Sequence, residues 1–397
     1  MVSVVAIAVA WSAGVAHADG ASSDSGSDSD SDSGSGSDSG SFDSPLADAR
    51  GSLSTVGTHE RTFAPGSASP SISTGRRAAA ITLAIVPGVA VRGLGSRVAR
   101  RTRAGNRLLW MGGVGLASAL VGGLPLYATY GSGKVVVPGV HLAVGGTGLI
   151  MASWWTDIWS AAGGDRLGGR PRALPGLAVE LAALWQHDAY VGERALLAPA
   201  VEARRGRWAG RASGLIAVDG GLIGGRVDVE ARPWAALTPL APARHTGSAL
   251  AVRGALQLHG EDDQGFTLAT GELSVRGRLA LARLDPRLAG SFVELDEGLG
   301  LEVARYHAAG HTDVGAILLS RFAWGVYLPG GRGEVSVFYD HRRDHLAGGF
   351  PAGPAAGFFG SVGATADVVV ARGWVALAQL EVGSATITTL GLRREVR

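Results

Sequence analysis

The stretch richest in groups able to do chemistry is Tyr339-Asp340-His341-Arg342-Arg343-Asp344-His345. A His-x-x-x-His pair such as His341 and His345 can hold zinc or copper when an acidic third ligand stands near. In a zinc-protease helix a Glu follows the first His, whereas Arg342 stands there in this chain. Two guanidiniums inside the motif would repel a dication, so the stretch reads as a polar strand end and loop, with His341 and His345 as candidate metal ligands. His307, His311 and Asp313 form a second imidazole–carboxylate group. If these converged with Asp340, His341, Asp344 and His345, an Asp/His pair could activate water, provided the base lies within hydrogen-bond reach of its proton. A Ser/His site with an orienting Asn is ruled out, because the only Asn is Asn106, far from these groups in sequence. The chain has no Cys, which removes thiolate nucleophiles, disulfides and Cys-ligated metals. It also lacks a P-loop, a dinucleotide Gly fingerprint and a Gly-x-Ser-x-Gly elbow. The expectation is a protein without a cofactor and without enzymatic activity.

The charges that recur are of another kind. Arg226, Asp228 and Glu230 alternate with Val227 and Val229; Arg253 alternates with Val252; Arg276 and Arg278 follow Leu273 and Val275; Glu294 and Asp296 flank Leu295. A strand sends successive side chains to opposite faces, so each run has one apolar and one charged face. Mixed signs on the charged face suit a lumen laced by ion pairs. These eight residues (Arg226, Asp228, Glu230, Arg253, Arg276, Arg278, Glu294 and Asp296) are the candidate lumen lining, and their charge would set bore and ion preference.

Such runs fill residues 176–397. The spacing predicts strands over 176–188, 193–204, 208–218, 222–234, 246–259, 265–284, 290–307, 312–328, 333–345, 357–371, 374–382 and 385–396. Gly- and Asp-rich turns separate most of them, as at Asp219-Gly220-Gly221 and Gly383-Ser384. Several runs are far longer than the ~5–6 residues usual in globular strands. Twelve is an even count, as single-chain bacterial barrels have. Over about 220 residues this alternation resembles the bacterial outer-membrane β-barrel (porin-like) class. The resemblance implies a closed antiparallel barrel in the outer membrane, acting as a passive pore or a structural envelope protein. The chain departs from that class at its end, Arg393-Arg394-Glu395-Val396-Arg397, which is not aromatic.

The remainder must place this domain. Residues 1–18 read as a signal peptide, with an apolar core and Ala16-His17-Ala18 as cleavage site. Residues 19–77 form a disordered acidic Ser/Asp/Gly linker. Residues 78–161 are an apolar helical domain able to span a membrane, and 162–175 a second linker. Trp110, Tyr127, Tyr130, Trp154, Trp155 and Trp159, with Trp324 and Trp374 in the β region, are candidate membrane-interface residues. A basic loop, Arg92 to Arg107, is placed to meet anionic headgroups. Of 36 basic residues all but Lys134 are Arg, 62 residues are Gly, 46% are apolar and 18% charged, with a net charge of +2. That composition suits lipid-facing surface and gives no basic stripe for nucleic acid. The expected partners are membrane lipid and small solutes or ions. Two alternatives stand: a β domain tethered to the inner membrane, facing the periplasm, by the 78–161 helices, and a barrel-rim hydrolase using the Asp/His group.

Overall fold

The computed structural model describes residues 73–129, 133–188, 192–233, 247–261, 265–341, 350–351 and 358–396. The expected signal peptide, nearly all of the acidic linker, Tyr130 and His345 lie outside these.

Twelve antiparallel strands close into a barrel. They are β1 (Leu177–Asp188), β2 (Gly192–Arg205), β3 (Trp208–Ala217), β4 (Leu222–Ala231), β5 (Ala249–Glu261), β6 (Phe266–Ala280), β7 (Ser291–Tyr306), β8 (His311–Tyr327), β9 (Gly333–Asp340), β12 (Ser361–Ala371), β13 (Trp374–Val382) and β14 (Ala385–Val396). A two-residue ladder, β10 (Phe350–Pro351) with β11 (Phe358–Phe359), stands apart from the ring. The first strand closes on the last over twelve pairs, from Leu177↔Val396 to Asp188↔Ala385. Closure overturns the open-sheet form of the tethered-domain alternative.

One expected strand ends early for a local reason. The run expected over 265–284 stops at Ala280, because Leu281–Arg283 and Pro286–Leu288 turn as 3-10 helices. Asp285 caps the second by accepting from Arg287 N at 2.9 Å, and Pro286 fixes its first φ. Of the run expected over 333–345, β9 takes Gly333–Asp340, His341 N still donates to Ser320 O of β8, and residues 342–345 lie outside the described residues.

Before the barrel come α1 (Thr74–Ile85), α2 (Leu94–Val98), α3 (Thr102–Ala128), α4 (Gly133–Ala161) and α5 (Gly164–Leu167). Helix α1 begins four residues before the expected boundary at 78 because Ser73 caps it, its hydroxyl accepting from Arg76 N. Both α3 and α4 are long and apolar enough to cross a bilayer. They pack as a close hairpin because glycines remove the side chains between them. A Cβ on Gly122 would lie 2.4 Å from Gly139 O, and one on Gly146 would lie 2.4 Å from Ala119 N. Small residues of this kind let helix backbones approach in lipid. The short α2 is held by Asp157 of α4, which accepts from Gly95 N, Ser96 N and Ser96 Oγ at 3.0, 2.7 and 2.6 Å.

The hairpin docks on the outside of the barrel, not over its mouth. Ala104, Leu108 and Met111 of α3 and Ala152 of α4 form one core with Leu281, Leu284, Leu288, Val293 and Phe322. Val293 and Phe322 stand on the outer faces of β7 and β8, so the barrel wall itself is half of this core.

Candidate functional site: the charged lumen and the helix-bearing wall

The charged faces of the strands converge in the interior. Arg226 of β4 reaches over β5 to Glu272 of β6 at 2.5 Å and also bonds Asp228 at 3.0 Å. Arg253 pairs with Asp228 at 2.5 Å and lies 3.7 Å from Asp296 of β7. Arg276 holds Glu294 at 2.7 Å and approaches Glu230 at 3.9 Å. Arg278 of β6 reaches Glu334 of β9 at 2.7 Å, past both β7 and β8. A bond between strands two removed around a curved wall is a chord through the inside. All eight candidate lumen residues lie on this inner face. Sequence reasoning missed several of their partners, among them Glu272, Glu334 and Arg321, and also the bidentate Arg211–Glu180 pair at 3.1 and 2.9 Å. Their shared signal is alternation in phase with the charged residues already chosen.

The outer faces carry the opposite chemistry. Leu181, Val201, Val227, Leu256, Leu273, Leu301 and Leu390 are all exposed large apolar side chains. Away from strand ends, one outward charge stands among the described residues, Glu297. Charge inside and exposed hydrocarbon outside invert the order of a water-soluble barrel. The chain is a membrane β-barrel of the outer-membrane type.

No family model matches the chain, and no curated protein does. Among solved structures it is similar to the KdgM porin, at 8% identity and a TM-score of 0.34, covering 55% of this chain and 99% of that one. It is similar to the NanC porin at 4% identity and 0.35, with 55% and 99% covered. The β domain of the Bordetella autotransporter BrkA gives 16% and 0.32, with 56% and 100% covered. Likeness at this level carries no functional inference, and the barrel's own geometry must supply one.

A cavity of about 810 Å³ runs along strands β1 through β7. The inward Glu180, Ala200, Ser213, Arg226, Gln257 and Thr270 border it, but outward residues such as Val201, Val227, Leu256 and Leu301 predominate, so its lining is mostly hydrocarbon. Toward one end, inward Leu184, Leu196, Leu215, Ala217 and Leu222 form an apolar patch on the adjacent strands β1 to β4. On the opposite side of the lumen, Arg278 lies 3.7 Å above the Phe292 ring and Arg321 lies 4.6 Å from that of Phe338.

Several expected interface residues instead build the junction of helix and wall. Trp155 packs on Trp324 at 5.7 Å between centroids, and Trp324 Nε1 donates to Thr156 Oγ1 at 2.9 Å. Trp154 Nε1 donates to Ala84 O, and Trp159 Nε1 to Ala289 O. These four half-buried indoles find partners within the protein. Trp110 and Tyr127, by contrast, are 75% and 83% exposed, and Trp374 is also exposed.

The same junction contains the one outward carboxylate. Glu297 of β7 is buried at 7% exposure and accepts from Ser320 Oγ of β8 at 2.9 Å. His141 of α4 places Nε2 3.3 Å from Glu297 Oε2 and 3.2 Å from both Gly298 O and Leu319 O. Two carbonyls can only accept, so Nε2 carries the proton. Helix and wall thus share a polar latch midway along β7 and β8. Its sequence signal is subtle: Glu297 and Ser320 break the apolar phase at positions paired across the ladder.

Among the described residues the candidate rim groups do not come together, and Asp344 and His345 lie outside those residues. Asp340 pairs with Arg321, ten residues from His311 along β8, which is about 33 Å of strand at ~3.3 Å per residue. His311 instead meets Asp313 at 2.6 Å, His307 meets Thr267 Oγ1 at 2.8 Å, and His341 Nδ1 meets the Tyr339 hydroxyl at 3.0 Å. Among the described residues no three His, Asp or Glu side chains converge as metal ligands.

Proposed function

We propose that the chain is a passive outer-membrane pore of small bore, admitting water and small ions through a lumen graded by its arginine–carboxylate network. In this reading the α3–α4 hairpin crosses the same bilayer beside β7 and β8. The observation that carries it is the set of ion pairs that span the closed wall as chords, such as Arg226–Glu272 and Arg278–Glu334. Charges so placed are positioned to select among ions. The apolar patch around Leu196 and Leu222 on β1 to β4 faces the same lumen and would hinder hydrated ions that pass it. It also favours a second reading, a sealed barrel serving as an envelope scaffold.

Planar-bilayer recording separates the two. The reconstituted protein is expected to give small, discrete, ohmic steps, and L196A/L222A to raise their size several-fold. A flat trace from correctly folded wild type and variant alike would remove the pore and leave the scaffold.

A further inference from the structure

Charge inside the barrel is balanced differently at its two mouths. At the mouth formed by the β6–β7 and β8–β9 turns, each inward arginine of the described strands has an acid beside it. Arg204 meets Glu202, Arg211 meets Glu180 at 2.9 Å, and Arg393 meets Asp367 at 2.7 Å. Arg276 and Arg278 are matched in the same way by Glu294 and Glu334. Positive and negative charge largely cancel there.

Beyond the Arg226–Glu272 pair, toward the β5–β6 and β7–β8 turns, the balance is lost. Asp188, Glu302, Asp313 and Glu381 each lie within four residues of that end of their strands. Their phase turns them inward, since every second residue of a strand shares a face. Asp188 shares the face of Leu184 and Gln186. Glu302 is paired with the inward Thr270, and Asp313 with Ala304, two positions from Glu302 on the same face. Glu381 shares the face of buried Val375 and is paired with buried Ile387. Against these four acids stands one inward arginine of the described strands, Arg194 of β2. Hydrogen bonds satisfy such a carboxylate without neutralising it: Glu381 accepts from Ser361 Oγ at 2.5 Å and from Gln379 Nε2 at 3.0 Å.

The four acids stand on β1, β7, β8 and β13, spread around the ring. They therefore act through a shared field and not as ligands to one ion. Fixed charge of one sign along a passage with low-dielectric walls gathers counter-ions and repels co-ions.

We propose that the barrel passes cations in preference to anions, with Asp188, Glu302, Asp313 and Glu381 setting that preference at the β7–β8 mouth. The inference rests on the pore reading above and adds the class of ion that permeates. It gives the two halves of the lumen separate tasks. The arginine network braces the wall near neutrality, and the unbalanced mouth sorts what enters.

The test is the reversal potential of the full chain in a planar bilayer between unequal potassium chloride solutions. Its sign is expected to report K⁺ passing several-fold more readily than Cl⁻. Screening acts over ~3 Å in 1 M salt and ~10 Å in 0.1 M, so diluting both solutions tenfold at constant ratio should strengthen the preference. Glu302→Gln/Asp313→Asn/Glu381→Gln should bring the permeability ratio close to one while discrete steps persist. A wild-type ratio at or below one would overturn the inference and leave the pore standing, and needs no variant. A ratio that survives the triple substitution, or ignores dilution, would take selectivity away from these carboxylates and overturn their role. Absence of any steps would remove the pore itself and the cation preference with it.

Discussion

Glu294→Gln is expected to lower the stability of the barrel more than any other single change inside the lumen. Glu294 is the hub of the filled side: Arg276 bonds it at 2.7 Å, and Arg278 and Arg321 lie 3.7 and 3.8 Å away. The three guanidiniums are themselves a quarter to a third exposed, while the carboxylate side chain is 7% exposed. Neutralising it leaves three cations crowded in a confined space. Breaking a buried ion pair by removing one partner typically costs about 3–5 kcal/mol. The lower end applies here, because each Arg keeps a second acid: Glu230, Glu334 and Asp340. Urea titration of the purified barrel in detergent would read the loss directly. A midpoint unchanged within the error of a neutral surface substitution, about 0.5 kcal/mol, would show that the hub carries no structural charge balance. Under a salt gradient the same variant should move the reversal potential toward anion preference, since it removes a negative charge from the lumen.

The second large effect is expected at the wall. His141→Leu should weaken attachment of the hairpin by about 2–4 kcal/mol, because it removes the imidazole beside the Glu297 carboxylate and the donor shared by Gly298 O and Leu319 O. The logic of a latch is reciprocity. Replacing both partners with apolar groups removes the penalty along with the bond, so His141→Leu/Glu297→Leu should recover most of the loss. A double-mutant cycle on the urea midpoint, read by tryptophan emission from the Trp155–Trp324 contact, measures that coupling. Strictly additive single effects would mean that His141 and Glu297 are neighbours without an energetic bond.

The two sites differ in how far they can be read from the chain. Luminal residues such as Arg226 and Glu294 announce themselves because a strand repeats every second residue, and a polar face of either sign stands out against valine and leucine. Strand number follows from the same repeat, whereas closure is carried by the pairing of Leu177–Asp188 with Ala385–Val396. Strand ends do not, since alternation continues through Leu281 and Leu284, which turn away to bury themselves under α3. Trp155 and Trp159 illustrate another limit. An indole near a helix end looks the same in sequence whether it meets headgroups or the carbonyl of a neighbouring turn. His141 lies 156 positions before Glu297, and no local rule joins them. Only the fact that Glu297 and Ser320 fall out of phase together hints that this strip of wall is covered.

The seam between β1 and β14 has a consequence in time. Its partners are the most distant pair of strands in the barrel, so neither can be satisfied until every intervening hairpin has formed. Until then the nascent sheet carries two open edges, each a row of unmatched amides and carbonyls able to pair with another chain. Contacts between such remote segments form late and slowly. The closing step is therefore expected to be a slow one, with the open edges exposed to aggregation until it is complete. Substitutions in Ala385–Val396 should slow insertion well before they alter the finished barrel.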